Sequence, residues 1–312
     1  MEMHILVTGG CGYIGSRLVP SLLESGYRVT VLDNLMYRQT SLLECFSNKS
    51  FEFVKGDIRD KHLMKATLSK VDAVIPLAAI VGAPACARDE DLATQVNVDA
   101  NRMLLDLVSI NQLILMPTTN SAYGTSSEGT ICNEESSLNP ISKYASDKVL
   151  VEKWLLEHSN AVSFRLATVF GLSSRMRLDL LVNNLVYRAF TDKFLVLFEP
   201  HFRRNYVHIE DVVDVFTFAL QSFESVKGNV FNVGLSSANL TKYQLAQKIQ
   251  QFIPSCQILV SEIGKDPDKR DYLVSNEKIE KIGFKPQNTL EMGIKQLLGA
   301  MPFFDFRNFA NA

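Results

Sequence analysis

Short apolar runs alternate with longer amphipathic stretches through the first half of the chain. Residues 4–8, 28–32, 51–54, 73–77 and 113–116 are brief and apolar, several of them rich in valine and isoleucine, and predict buried strands. Between them lie segments of helical length with charges on one face. This alternation predicts an α/β fold, a doubly wound parallel sheet with helices on both sides. Two of the helices stand out. Residues 89–110 open with acidic side chains, which suit a helix N-terminus, and Leu92, Val96, Ala100, Leu104, Leu107 and Val108 recur at helical spacing. Residues 144–158 continue one face through Val151 and Leu155. Both faces suit packing on the sheet, and part of one suits contact with a second subunit, a homodimer or homotetramer.

The second half is less regular. Residues 161–166, 194–198 and 229–233 read as strands, and 175–191, 211–223, 242–252 and 290–298 as helices. The expected division is a nucleotide-binding domain over 1–171, to which 205–236 returns, and a smaller α/β substrate lobe over 172–312.

Composition narrows the function by exclusion. A formal net charge of -2 gives no general attraction to nucleic acid or to an anionic membrane. Cys11, Cys45, Cys86, Cys132 and Cys256 are scattered and never form a CxxC pair, which argues against zinc and disulfides and for a reducing cytoplasm. The histidines have no metal-binding spacing. Residues 4–8 end at two glycines without a basic flank or a cleavage site, unlike a signal peptide. The uncharged apolar stretch 73–87 is broken by Pro76 and Pro84 and falls short of the roughly 20 residues that span a bilayer.

The chemistry begins at Gly9-x-x-Gly12-x-x-Gly15, between the first strand and a helix. Glycines there let the backbone approach a pyrophosphate, and the following helix N-terminus offers free N–H groups and the positive end of a dipole. Asp33 ends the second strand, where a carboxylate accepts both hydroxyls of an adenosine ribose and repels a 2′-phosphate, so NAD is expected over NADP. Asp57 follows the third strand and suits either the adenine amino group or a plain turn. Leu77, Ala78 and Ala79 are small and apolar where a cofactor would lie against backbone. Tyr144 and Lys148 are four apart on one helix face. A tyrosine hydroxyl titrates near ~10, and a neighbouring ammonium favours its phenolate, which can then take a proton from a sugar hydroxyl. Thr119 adds a hydroxyl at the carboxyl end of a strand, where open α/β sheets bind ligands.

In this order the motifs resemble those of extended short-chain dehydrogenases/reductases of the nucleotide-sugar epimerase/dehydratase group. The markers are TGGCGYIG at 8–15, DN at 33–34, GD at 56–57, LAA at 77–79, TNSAYG at 119–124, Tyr144 with Lys148, RLATVFG at 165–171 and RNYVH at 204–208. The resemblance implies a Rossmann fold and a tightly held NAD(H). It implies cofactor contacts from Gly9, Gly12, Tyr13, Ile14, Gly15, Asp33, Asn34, Asp57, Ile58, Leu77, Ala78, Ala79, Tyr144, Lys148 and Leu166. It makes Thr119 the holder of the sugar hydroxyl, Tyr144 the base and Lys148 its partner.

Two residues bear on which reaction is performed. Relatives that eliminate water carry a glutamate two places after the Thr119 position, often with an aspartate between, and here stand Asn120 and Ser121. Relatives that epimerise and reduce GDP-sugars carry a cysteine at the Ser121 position. What remains is hydride transfer at one sugar carbon, expected at C4, by a dehydrogenase or a 4-epimerase. Many epimerases have asparagine where Thr168 stands, so a hexose pose is not carried over.

Further segments, at 34–36, 79–84, 175–183, 201–206 and 266–276, are similar to those of the family's GDP-manno-heptose 4-dehydrogenases, which serve capsule and surface polysaccharide synthesis. That similarity implies a GDP-linked substrate and a 2-oxoacid as second oxidant. Arg204 and Arg270 suit a diphosphate, because guanidinium forks match phosphate oxygens, and Asn183 suits donation to the same group. Val81, Gly82, Ser121 and Thr168 are expected around the sugar. Arg203 suits a surface ion pair as well as a substrate contact. A non-catalytic NAD(H)-sensing scaffold is the alternative of another class, and retention of the Tyr144–Lys148 pair speaks against it.

Overall fold

A computed structural model describes residues 2–126, 129–261, 270–305 and 309. The 266–269 part of the heptose-dehydrogenase-like segment lies outside the described residues. The strands, in chain order, are β1 (His4–Thr8), β2 (Arg28–Asp33), β3 (Phe51–Lys55), β4 (Ala73–Pro76), β5 (Leu113–Thr119), β6 (Ile131–Cys132), β7 (Ala161–Leu166), β8 (Thr168–Phe170), β9 (Phe194–Phe198), β10 (Arg203–His208), β11 (Asn229–Val233), β12 (Asn239–Thr241), β13 (Gln257–Ser261) and β14 (Leu273–Val274). Seven of them form one parallel sheet in the order β11-β7-β5-β4-β1-β2-β3. The order reverses between β1 and β4, and the crevice beyond their carboxyl ends is where such a sheet takes its ligand.

Alternation along each strand explains the layers. In β1, Ile5 and Val7 face one side and Leu6 the other. On the first side pack the helices Gly15–Glu24 and Ile209–Gln221, through Leu18, Val19, Leu22, Val212 and Phe216. On the second pack Lys61–Leu68, Ala100–Leu107 and Lys143–Leu155, through Met64, Leu104, Val151 and Leu155. Residues 90–107 run as one helix with a π turn over Gln95–Asp99.

The smaller sheets are β12-β10-β8, β13-β9 and β14-β6. Around them the helices Leu181–Thr191, Lys242–Phe252 and Leu290–Ala300 enclose a second core with Val182, Val186, Leu245, Ile249, Ile294 and Leu297. The helix Ile209–Gln221 and β11 return to the large sheet, whereas β8 already pairs with β10. Among the described residues no helix is long and apolar enough to cross a membrane.

One element departs from the pattern. The helix expected over 175–191 begins only at Leu181. The side-chain amides of Asn183 and Asn184 donate to the carbonyls of Arg177 (2.9 Å) and Leu178 (3.1 Å). Those bonds compete with helical pairing and hold 175–180 out of the helix. Strand β5 also runs three residues further than its apolar run, which puts Thr119 at its end.

Candidate active site

The glycine turn after β1 is a close approach of three backbones. Gly9 has φ +65°, and a Cβ on it would stand 2.6 Å from Ala78 Cα. A Cβ on Gly15 would stand 2.4 Å from the Gly10 carbonyl oxygen. Only glycine fits either place, and the turn delivers Tyr13, Ile14 and Gly15 at the N-terminus of the helix Gly15–Glu24. Such a cradle with a helix dipole behind it fits a dinucleotide pyrophosphate.

Asp33 is buried at the end of β2. Its carboxylate accepts from the amides of Cys11 (3.0 Å) and Leu35 (2.8 Å). Burial raises its pKa, and those two bonds pull it back down. Asp57 is clamped by the Arg59 guanidinium through two bonds (3.0 and 2.8 Å), which hold its carboxyl below the usual range. Asn34 reaches Asp57 at 3.5 Å.

A cleft of about 310 Å³ runs from this turn across the ends of β4 and β5 to the substrate lobe. Every residue of the expected cofactor set lines it, as do Thr119, Val81, Gly82, Ser121, Thr168 and Arg270. Thr119 donates to Ser121 Oγ at 2.9 Å and accepts from the Ser121 amide at 3.1 Å. Arg270 also donates to Ser121 Oγ. Tyr144 and Lys148 face the cleft from the helix Lys143–Leu155, whose N-cap is Ser142.

The electrostatics differ from the expected Tyr–Lys pairing. Burial pushes the Tyr144 hydroxyl up to about 12, and the cations that draw it back are Arg177 and Arg270, not Lys148. Burial brings the Lys148 ammonium down to about 8, and its Nζ donates to the Pro117 carbonyl at 3.3 Å. Desolvation outweighs any help the two give each other.

Two expected substrate residues lie elsewhere. Asn183 is fully buried: its Oδ1 accepts from the Gly171 amide (3.1 Å), and its Nδ2 donates to the Tyr13 hydroxyl (3.2 Å) as well as to Arg177. It is a joint between lobe and glycine turn and does not line the cleft. Arg204 is also buried behind the cleft wall, its guanidinium 5.9 Å from the ring centroid of Tyr272, which does line the cleft. It supports that wall through a cation–π contact. Arg203 forms a bidentate pair with Asp271 at 2.8 and 3.0 Å, the ion-pair alternative.

The structure adds residues that sequence spacing did not single out. Arg175, Arg177, Tyr37 and Tyr272 line the cleft. Glu152 lies one turn beyond Lys148, so Tyr144, Lys148 and Glu152 continue one helical face at spacings of four, and that spacing was available as a signal. Its carboxylate accepts from Thr118 (2.8 Å), Ser163 (2.6 Å) and Arg165 (2.6 Å). Arg165 in turn donates to Tyr123 OH (3.0 Å), which donates to Asn232 (2.7 Å). This buried network fastens the tyrosine-bearing helix to β5 beside Thr119.

Comparison with known proteins agrees with this geometry. The family model described as "NAD dependent epimerase/dehydratase family" matches residues 5–234. The chain is similar to CDP-paratose 2-epimerase of Salmonella typhi, 24% identical over 95% of this chain and 98% of that one. It is also similar to mouse dTDP-D-glucose 4,6-dehydratase, 28% identical over 94% and 87%. Among solved structures, UDP-glucose 4-epimerase of Thermotoga maritima with UDP-glucose superposes with a TM-score of 0.84 at 26% identity, covering 96% of this chain and 99% of that one. With a glycine cradle, a buried carboxylate at the end of β2 and a Thr–Tyr–Lys group in one cleft, and with the family model spanning most of its length, the chain belongs to the NAD-dependent epimerase/dehydratase family.

Proposed function

We propose that this enzyme oxidises a nucleotide sugar at C4, with GDP-D-glycero-α-D-manno-heptose as substrate and the 4-keto sugar as product. The observation that carries the reading is the set of acids in the cleft. Among the described residues its only carboxylates are Asp33 and Asp57, both at the adenosine end. Water elimination needs an acid and a base beside the sugar. Asn120 is buried and does not line the cleft, and Ser121 carries no titratable group there.

The glycine turn, Asp33 and the 77–79 segment would hold NAD, which when bound supplies the hydride acceptor. Thr119 holds the 4-hydroxyl, and Tyr144 takes its proton. Arg177 and Arg270 favour the phenolate that does so, against the burial that opposes it. Turnover therefore climbs from neutral pH upward. Arg270 suits the substrate diphosphate, with Val81, Gly82 and Thr168 around the sugar. Release of a keto sugar leaves a reduced cofactor, so a second oxidant, a 2-oxoacid, closes the cycle. The product feeds capsule or surface polysaccharide synthesis. A homodimer or homotetramer is proposed on the exposed Leu150 face of the helix Lys143–Leu155.

A second reading, 4-epimerisation of a UDP-hexose, is favoured by the 26% identity to a UDP-glucose 4-epimerase along nearly the whole chain. Incubation with GDP-manno-heptose and a 2-oxoacid separates the two. A product lighter by two hydrogens is expected, and an isomer of unchanged mass overturns the dehydrogenase reading. Protection against heat by UDP-hexoses and not by GDP-sugars overturns the substrate.

A further inference from the structure

The glycine end of the cleft carries a cation that the family motifs do not include. Arg175 is buried and lines the cleft; its Nη1 donates to the Met176 carbonyl at 2.6 Å, and its guanidinium stands 5.1 Å from the ring centroid of Tyr37, which lines the same cleft. Its backbone is anchored at the first turn of the helix Gly15–Glu24. The Arg175 amide donates to Ser16 Oγ at 3.3 Å, and Ser173 Oγ bonds both Ser16 Oγ (2.6 Å) and the Tyr13 carbonyl (2.8 Å). That helix end is where an anion gains most from free amides and the dipole.

Tyr37 is held by an unusual loop. Leu35 and Arg38 have φ of +56° and +52°, a left-handed conformation that non-glycine residues adopt at a cost and keep only where the surroundings enforce it. Asp33 holds Leu35 there by accepting its amide. In the same loop Gln39 lines the cleft, and its Oε1 is buried without a hydrogen-bond partner among the described residues. Burial and the nearby Arg177 lower the pKa of Arg175, so an anion beside it is favoured.

We propose that Arg175 and Tyr37 form a clasp across the diphosphate of the bound dinucleotide, with Arg175 contacting the phosphate oxygens and Tyr37 fixing the guanidinium plane. The clasp joins the substrate lobe to the loop after β2, and so retains the cofactor between turnovers. It rests on the reading of this cleft as a NAD site.

Calorimetric titration of the full chain, stripped of cofactor, with adenosine, ADP and NAD tests it. Arg175→Ala removes a charge-assisted hydrogen bond to phosphate and should weaken ADP and NAD by about ten- to hundredfold, with adenosine unchanged. Arg175→Lys should fall between, and Tyr37→Leu should speed NAD release. Adenosine also reports whether each variant keeps a folded site. Equal losses for adenosine and ADP, or no loss for either, overturn the clasp. An Arg175→Ala defect confined to the nucleotide sugar overturns it in favour of the substrate diphosphate. Failure of the unaltered protein to bind NAD overturns the function reading itself, and the clasp with it.

Discussion

The two ends of the cleft are built on different plans. The cofactor end is made of backbone and short side chains at the carboxyl edges of β1, β2 and β4, each close in sequence to the strand that places it. The substrate end takes its long charged side chains, Arg177 and Arg270, from far along the chain. At the first end a residue's role follows from its place on a strand. At the second it depends on which neighbour each guanidinium meets: Arg203 meets Asp271, Arg204 lies by the Tyr272 ring, and Arg270 reaches Ser121. A backbone-built site is specified locally, whereas a side-chain-built site is specified by packing.

The sharpest way to test this contrast is Tyr144→Phe, which lies between the ends. Losing the proton acceptor should cost about 10²–10⁴-fold in turnover while cofactor content in the purified protein stays unchanged. Loss of cofactor as well would mean that the two ends are not separable. Glu152→Ala comes next. It leaves the Arg165 charge buried and uncompensated, and urea unfolding should report a loss of about 3–5 kcal/mol. A stable variant would remove the network from the support of Thr119.

Asn183→Ala probes the joint between the ends. It orphans the Gly171 amide and should cost about 1–3 kcal/mol in urea, with little effect on KM. A raised KM at unchanged stability would restore it to the substrate site. An effect on stability of opposite sign is expected from Lys148→Met. The Lys148 ammonium titrates near about 8 in the fold, below its ordinary 10.5. Its burial therefore opposes folding fully below about pH 8, less between there and 10.5, and not above. The variant should melt a few degrees higher at pH 7, with the gain gone by pH 10.5, and should lose turnover. Equal melting at both pH values would mean that Lys148 is not held against its charge.

Much of this was legible in the residue order. The strands at 4–8 and 161–166 fall where the apolar runs fall, because a strand buried on both faces needs a continuous run; those at 194–198 and 229–233 also fall on their apolar runs, although Phe194, Val196 and Phe198 are exposed. Strand β10 was not legible as a strand, since RRNYVH reads as polar and is buried by ion pairing and by its neighbours β8 and β12. The helix start at 181 was missed because Asn183 and Asn184 spend their amides on the preceding carbonyls, a choice that periodicity does not register.

By itself the sequence determined the parallel sheet, the glycine cradle, the acid at the end of β2 and the Thr–Tyr–Lys group. Each of these rests on local geometry: a strand end, a turn without Cβ atoms, a spacing of four on a helix. Only the tertiary structure decided which arginines face the cleft and which brace its walls. A long guanidinium side chain can reach several partners, and the one it takes depends on groups far away in the chain that share its low-dielectric surroundings.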